Sequence, residues 1–95
     1  MHAVVRQYSG PGARELFDAL ERSKADVERI IRAVPGFVAY SLVRAGDGGL
    51  SVTVCRDQAG CEESSRRARE WVQQNVPAAR TPPQVSEGNV ILHLS

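Results

Sequence analysis

Hydrophobic positions change their period along this chain, and the changes mark its elements. From Pro35 to Asp57 there are two short apolar runs. Phe37, Val38, Tyr40, Leu42 and Val43 form the first, and Leu50, Val52, Thr53 and Val54 the second. Both are rich in the β-branched and aromatic residues that suit a pleated, partly buried surface. Between them Gly46, Asp47, Gly48 and Gly49 permit the positive φ that a hairpin turn demands. The segment predicts two antiparallel strands.

Upstream the period lengthens. From Ala13 to Val34, Leu16, Phe17, Leu20, Val27, Ile30, Ile31 and Val34 recur at three- and four-residue steps, the signature of one helical face. Asp18–Arg22, Lys24–Glu28 and Glu28–Arg32 stand four apart on the opposite face. Ser23 and Lys24 interrupt the apolar stripe, which predicts a looser middle to a single long helix. Pro35 and Gly36 end it. Downstream, Asp57 is an expected N-cap for a second helix. Its inner face, Cys61, Ser64, Ala68, Trp71 and Val72, is short of bulk until Trp71. Such small residues either bring a helix close to a sheet or leave room for a ligand. Asn75 and Pro77 mark its end.

A strand-like run closes each end of the chain. His2 to Tyr8 is the first, after which Pro11 suits a first helical position. Val85 to Leu94 is the last, with Gly88 expected to form a bulge or kink. A proline-rich connection, residues 76–84, precedes it. The order strand, helix, strand, strand, helix, strand gives two split βαβ units. It predicts one domain over residues 1–95, an α+β ferredoxin-like βαββαβ sandwich with antiparallel strand order 4-1-3-2 and both helices on one face. Ala3, Val4 and Val5, Leu42 and Val43, and Val90, Ile91 and Leu92 make strands apolar on both sides. The second face of the sheet then needs a cover, and the same face of another copy is the simplest, an isologous homodimer.

Composition narrows the function classes. With 42% hydrophobic and 24% charged residues and a net charge of +1, no electrostatic argument favours nucleic acid or an anionic membrane. No apolar run reaches the length of a membrane span. The start, MHAVVRQY, lacks the features of a signal peptide, so the chain is expected in the cytoplasm with Cys55 and Cys61 as free thiols. Arg66, Arg67 and Arg69 are interleaved with glutamates, which reads as a solvated helix face.

Candidate chemistry rests on few residues. Trp71 either walls a pocket and stacks on an aromatic ligand or fills the core under its helix. Tyr8, Tyr40 and Arg6 lie on predicted strands. They either hold the oxygen of a phenolate or enolate, or place their hydroxyls at the sheet rim while Arg6 pairs with a carboxylate. His2 and His93 are expected close together if the first and last strands are neighbours. His93 can serve as a base because an imidazole titrates near neutral pH. No metal site is expected, since neither cysteine has ligand spacing. Cys61, near a helix N-terminus, could be an activated thiol, or both cysteines are small buried hydrophobes.

Taken together, the first strand AVVRQY, the tripeptide PGF at Pro35–Phe37, the AGDGG hairpin and a second helix ending in REWVQQN resemble the antibiotic biosynthesis monooxygenase-like domains. These are small dimeric α+β barrels. The resemblance implies a homodimer with a pocket between sheet and helices. It also implies a cofactor-independent oxygenase acting with molecular oxygen on an aromatic, quinol-type small molecule. On that reading Trp71 stacks, Tyr40 and Arg6 orient the oxygen, and His93 takes a proton. A haem-degrading branch of the family uses an asparagine, a tryptophan and a histidine. Only Trp71 matches that set, because Arg67 and Ala68 stand where the helix asparagine is expected. The alternative is a binding or structural module without catalysis.

Overall fold

A computed structural model describes all residues from Met1 to Ser95. The elements are β1 (His2–Tyr8), α1 (Ala13–Arg22), α2 (Lys24–Arg32), β2 (Phe37–Ala45), β3 (Gly48–Cys55), α3 (Gln58–Asn75) and β4 (Gln84–Asn89). The four strands form one antiparallel sheet in the order β2-β3-β1-β4, the ferredoxin-like arrangement expected, with the helices on one face.

The first helical pattern is two helices rather than one. Ser23 leaves helical geometry at φ −114° and ψ 26°, and its N–H is shared between the carbonyls of Ala19 and Leu20. Serine competes poorly for helix interior, and a shared donor tightens the last turn. The break lets both short stripes reach the sheet. Leu16, Phe17 and Leu20 of α1 and Val27 and Ile31 of α2 share one core with Trp71 and Val76. The charges also pair differently from a straight helix. Asp18 and Glu21 both receive Arg44 of β2, at 2.8 and 3.0 Å, while Glu28–Arg32 forms as expected.

The hairpin closes on two residues, Gly46 and Asp47, with Gly46 at φ +60° supplying the left-handed position. Gly49 is required for a different reason. A Cβ there would lie 2.6 Å from the Phe17 ring and 2.2 Å from the Val43 carbonyl. In β2 an irregularity between Phe37 and Ala39 sets two residues against one on β3. It turns both Phe37 and Tyr40 towards the helices.

The last strand ends at Asn89, five residues short of the expected end at Leu94. Register explains this. Asn89 lies opposite His2, and the Val90 N–H bonds the carbonyl of Met1, so β1 offers nothing further to pair with. Ile91, Leu92 and Leu94 run past the sheet, 98, 74 and 82% exposed. Gly88 lies in regular register opposite Ala3, so the bulge expected there is absent.

Residues opposite each other on antiparallel strands share a face. Val4, Arg6 and Tyr8 of β1, with Ser51, Thr53 and Cys55 of β3, face the helices. Ala3 and Val5, with Leu50, Val52 and Val54, face away. On these two central strands Arg6, Ser51 and Thr53 therefore point towards the helices beside the apolar Val4 and Cys55, and the outward side is apolar except at the exposed Gln7.

Gly49→Ala tests the contact between α1 and the sheet. Neither the Val43 carbonyl nor the enclosed Phe17 ring can give way cheaply, and overpacking of this kind costs about 1–3 kcal/mol. A urea unfolding curve should show a lowered midpoint with an unchanged slope.

Candidate functional site

The site begins with Arg6. Its position in β1 points it at α3, where Gly60, Cys61, Ser64 and Ser65 leave space for a long side chain. The space that the small residues of this helix implied is filled by a guanidinium. Arg6 is only 2% exposed. Its Nε donates to Ser65 Oγ at 3.1 Å and one terminal nitrogen donates to Ser51 Oγ and Thr53 Oγ1, both at 3.1 Å. The other terminal nitrogen donates to Ser64 Oγ at 2.5 Å, and the Ser64 hydroxyl in turn donates to the Cys61 carbonyl at 2.7 Å.

No carboxylate pairs with Arg6, so the ion pair weighed from the sequence does not form. A guanidinium has five N–H donors, and these four bonds leave one of them, on the second terminal nitrogen, unused. Neutral hydroxyls satisfy its geometry but not its charge. Burial pulls the Arg6 guanidinium below its ordinary value, and Tyr8 and Tyr40 oppose that.

Arg6 forms the inner wall of an open cleft of about 670 Å³. The cleft is bounded by β1, the exposed Val85 of β4, the second half of α3 and the proline-rich connection. Tyr8 and Ser65 lie beside Arg6, and Val72, Val76, Pro77 and Pro82 supply apolar walls. Arg69 and Arg80 also line it, and no carboxylate does.

The Trp71 region is different. Trp71 is 7% exposed, and its indole N–H donates to Asp26 Oδ2 of α2 at 3.2 Å. Arg29 and then this indole hold the Asp26 carboxyl below its usual range. The free space between Trp71, Tyr40 and the α1–α2 core is about 30 Å³, room for one water molecule. Tyr40 lines this space and not the large cleft. Burial pushes the Tyr40 hydroxyl up to about 12, against the pull of Arg6. Burial likewise raises Tyr8, and Arg6 opposes it. At neutral pH both phenols are donors, not bases.

The four residues singled out from the sequence are therefore not gathered in one place. Arg6 lines the large cleft and Tyr40 and Trp71 the small space, while Tyr8, Leu16 and Val72 belong to both. His93 lies in the exposed tail beyond β4, and the β4 residue opposite His2 is Asn89, so the two histidines are not brought together. His2 instead lies 3.9 Å from Glu87, its buried Nε2 without a hydrogen bond. No group of three or more His, Cys, Asp or Glu side chains is placed to hold a metal ion. Cys55 and Cys61 are free and buried, and burial pushes the Cys55 thiol up to about 11 and raises Cys61. An activated thiol is not what this environment makes.

Ser64, Ser65, Arg69 and Arg80 complete the site and were not singled out by pattern. Arg69 could have been. Arg66 pairs with Glu63 and Glu70, and Arg67 with Glu63. The positions four away from Arg69 are Ser65 and Gln73, so spacing gives it no carboxylate. Arg69 is exposed, as expected of a solvated face, but has no ion-pair partner there.

No protein-family model matches the chain, and no curated protein matches it in sequence. Solved structures do match. One is NE2512, a protein of unknown function from Nitrosomonas europaea, with a TM-score of 0.72 and 18% identity over 99% of this chain and 91% of that one. A second is a monooxygenase from the gene ActVA-Orf6 of Streptomyces coelicolor in complex with Nanaomycin D, with a TM-score of 0.63 and 20% identity over 99% and 89%. A third is a point mutant of MhuD with two manganese protoporphyrin IX molecules bound per active site, with a TM-score of 0.66 and 20% identity over 99% and 97%. The chain has the fold of the monooxygenase-like proteins that its sequence resembles.

The raised Tyr40 hydroxyl makes a prediction with a sign. Its folded value, about 12, lies above the ordinary 10, so the folded state holds the proton more tightly. The associated stability is complete below pH 10 and is lost as pH rises from 10 to 12. Tyrosinate absorbance should show a step near pH 12 that Tyr40→Phe removes, and the variant's stability should fall less steeply across that window.

Proposed function

We propose that the protein is an oxygenase that oxidises an electron-rich phenol of the quinol type with molecular oxygen, without a cofactor, in the cleft walled by Arg6. One observation carries this reading: a buried guanidinium with an unused N–H and no counter-charge, at the wall of an open cleft. The structural match to a monooxygenase with an aromatic ligand supports it.

The chemistry follows from the charge. A substrate hydroxyl placed at the free N–H of Arg6 has its phenolate form stabilised in a site of low dielectric. The phenol proton leaves to water at the open mouth, since the cleft lining holds neither histidine nor carboxylate. The electron-rich phenolate ring then reduces oxygen. At an activated ring methylene the balance is CH2 + O2 → C=O + H2O. Tyr8 donates a second hydrogen bond to the substrate oxygen. Trp71 and Tyr40 close the neighbouring compartment, and His93 stands apart from this chemistry.

A second reading, a binding module without catalysis, is favoured by the packed space beside Trp71. Oxygen uptake separates the two. Metal-free protein should consume oxygen with a hydroquinone or an anthrone, and Arg6→Met should lose at least about 100-fold of that rate, the usual cost of removing an electrostatic donor. Arg6→Met removes a buried charge and inserts an apolar chain of similar length, at the cost of the hydrogen bonds to Ser51, Thr53, Ser64 and Ser65. Its thermal midpoint should stay within about 8 °C of the parent. A parent protein that takes up no oxygen with any of these substrates leaves the binding module.

The working unit is a homodimer in a reducing compartment, where the two thiols stay free. Ala3, Val5, Leu50, Val52 and Val54 turn an apolar face outward, and a second copy covers it. No helix is long and apolar enough to cross a membrane. Sedimentation should give a mass near twice 10.3 kDa. Val52→Lys, at the centre of that face, should yield a folded monomer.

A further inference from the structure

We infer that the cleft is built for an organic acid: a flat, apolar-bodied molecule whose carboxylate is taken by Arg69 and Arg80 while its second oxygen meets Arg6. The placement of that second oxygen rests on the oxygenase reading above, but the acid site does not.

The argument is one of charge accounting. Three guanidiniums line one cleft and no carboxylate does. Elsewhere on the same helix the arginines are neutralised, Arg66 by Glu63 and Glu70 and Arg67 by Glu63. Burdening Glu63 with two of them holds its carboxyl down to about 2. Arg69 and Arg80 form no ion pair, and Arg6 is buried without one. Like charges gathered around a partly enclosed, low-dielectric space raise the local concentration of anions. Guanidinium is the group that receives a carboxylate in two parallel hydrogen bonds.

The backbone at Arg80 is held in place. Its own N–H bonds the Ala78 carbonyl, and the Ala79 N–H bonds that of Val76. Pro77, Pro82 and Pro83 stiffen the connection on either side. Gly12, at φ +88°, lets the start of α1 press against the same loop, where a Cβ would lie 2.4 Å from the Ala78 carbonyl oxygen. Much of the remaining wall is apolar, with Ser65, Gln73 and Thr81 as polar points, so the body of the ligand is largely apolar.

Two sources share this chemistry, a small hydroxyaryl carboxylate and a porphyrin with its propionates. The test is isothermal titration of the full chain, without oxygen and at low salt. The probes are 1,4-dihydroxy-2-naphthoate, its neutral carboxamide and protoporphyrin IX. The acid should bind at least tenfold more tightly than the amide. Arg69→Gln/Arg80→Gln, two exposed positions without structural partners, should erase that advantage and leave the amide unchanged. Equal binding of acid and amide by the parent, or a preference that survives in the double variant, overturns the proposal. Porphyrin binding that exceeds the naphthoate and is lost in the double variant upholds the acid site and assigns it to the larger ligand. Because no oxygen is present, a missing acid preference counts against this site alone. Missing oxygen uptake by the acid-bound protein counts against the oxygenase alone.

Discussion

A guanidinium taken out of water must be given something in exchange, and at Arg6 it is given only oxygens without charge. Ser51, Thr53, Ser64 and Ser65 satisfy the directions of four N–H bonds. They do not return the solvation of a full positive charge, which costs several kcal/mol per buried ion. Neighbouring structure has to support that cost. The support comes from the α1–α2–Trp71 core on one side and from α3, held at its start by the Asp57 carboxylate on the Gly60 N–H. Much of the helix-facing surface of β1 and β3 serves this one side chain. A purely structural solution would have placed leucine or methionine at position 6 and small apolar residues around it.

The same helix that cages Arg6 also divides the interior. Cys61, Ser64 and Ser65 are small enough to admit the guanidinium, and Trp71, two turns on, is large enough to fill the space towards α2. Asp26 anchors the indole, so the tryptophan is held from its polar end as well as by packing. One compartment is left with room for a water molecule, and the other, past Val72, stays open. Tyr8 stands between them, edge-on to Phe17 at 6.1 Å. Tyr8, Leu16 and Val72 line both compartments.

Element type and order were legible because period and punctuation agree: Pro35–Gly36, Gly46–Asp47 and Asp57 each end or begin what they are expected to. The Ser23 break was visible as an interrupted stripe, but only packing shows that the interruption redirects the chain. The end of β4 was not legible. It depends on where β1 begins, and Val90, Ile91 and Leu92 have strand propensity with no partner left to pair with. The irregularity at Val38 has no sequence mark at all. The site was half legible. Arg6 could be named, but Val4 and Val5 are both apolar, so alternation could not say which way it faces. Its counter-ion was expected because buried arginines usually have one. Arg80 could not be reached by local reasoning, since only the fold of a proline-rich connection brings it to the cleft.

Polarity on the two central strands is partly reversed from that of a sandwich standing alone. Facing the helices are Arg6, Ser51 and Thr53, beside Val4 and Cys55; facing outward are Val5, Leu50, Val52 and Val54, with Gln7 the polar exception. A monomer would be expected to turn these the other way, because water satisfies hydroxyls and charges at no cost and helices cover apolar side chains. Two demands resolve the reversal together. A ligand at the cleft requires polar groups between sheet and helix, which removes apolar burial from the interior. Apolar burial must then be recovered on the other face, and in the proposed homodimer a second copy would provide it at about 25 cal/mol per Å². On this argument the proposed anion site and the proposed homodimer support each other: an interior that holds a charge goes with an exterior that a second copy would cover.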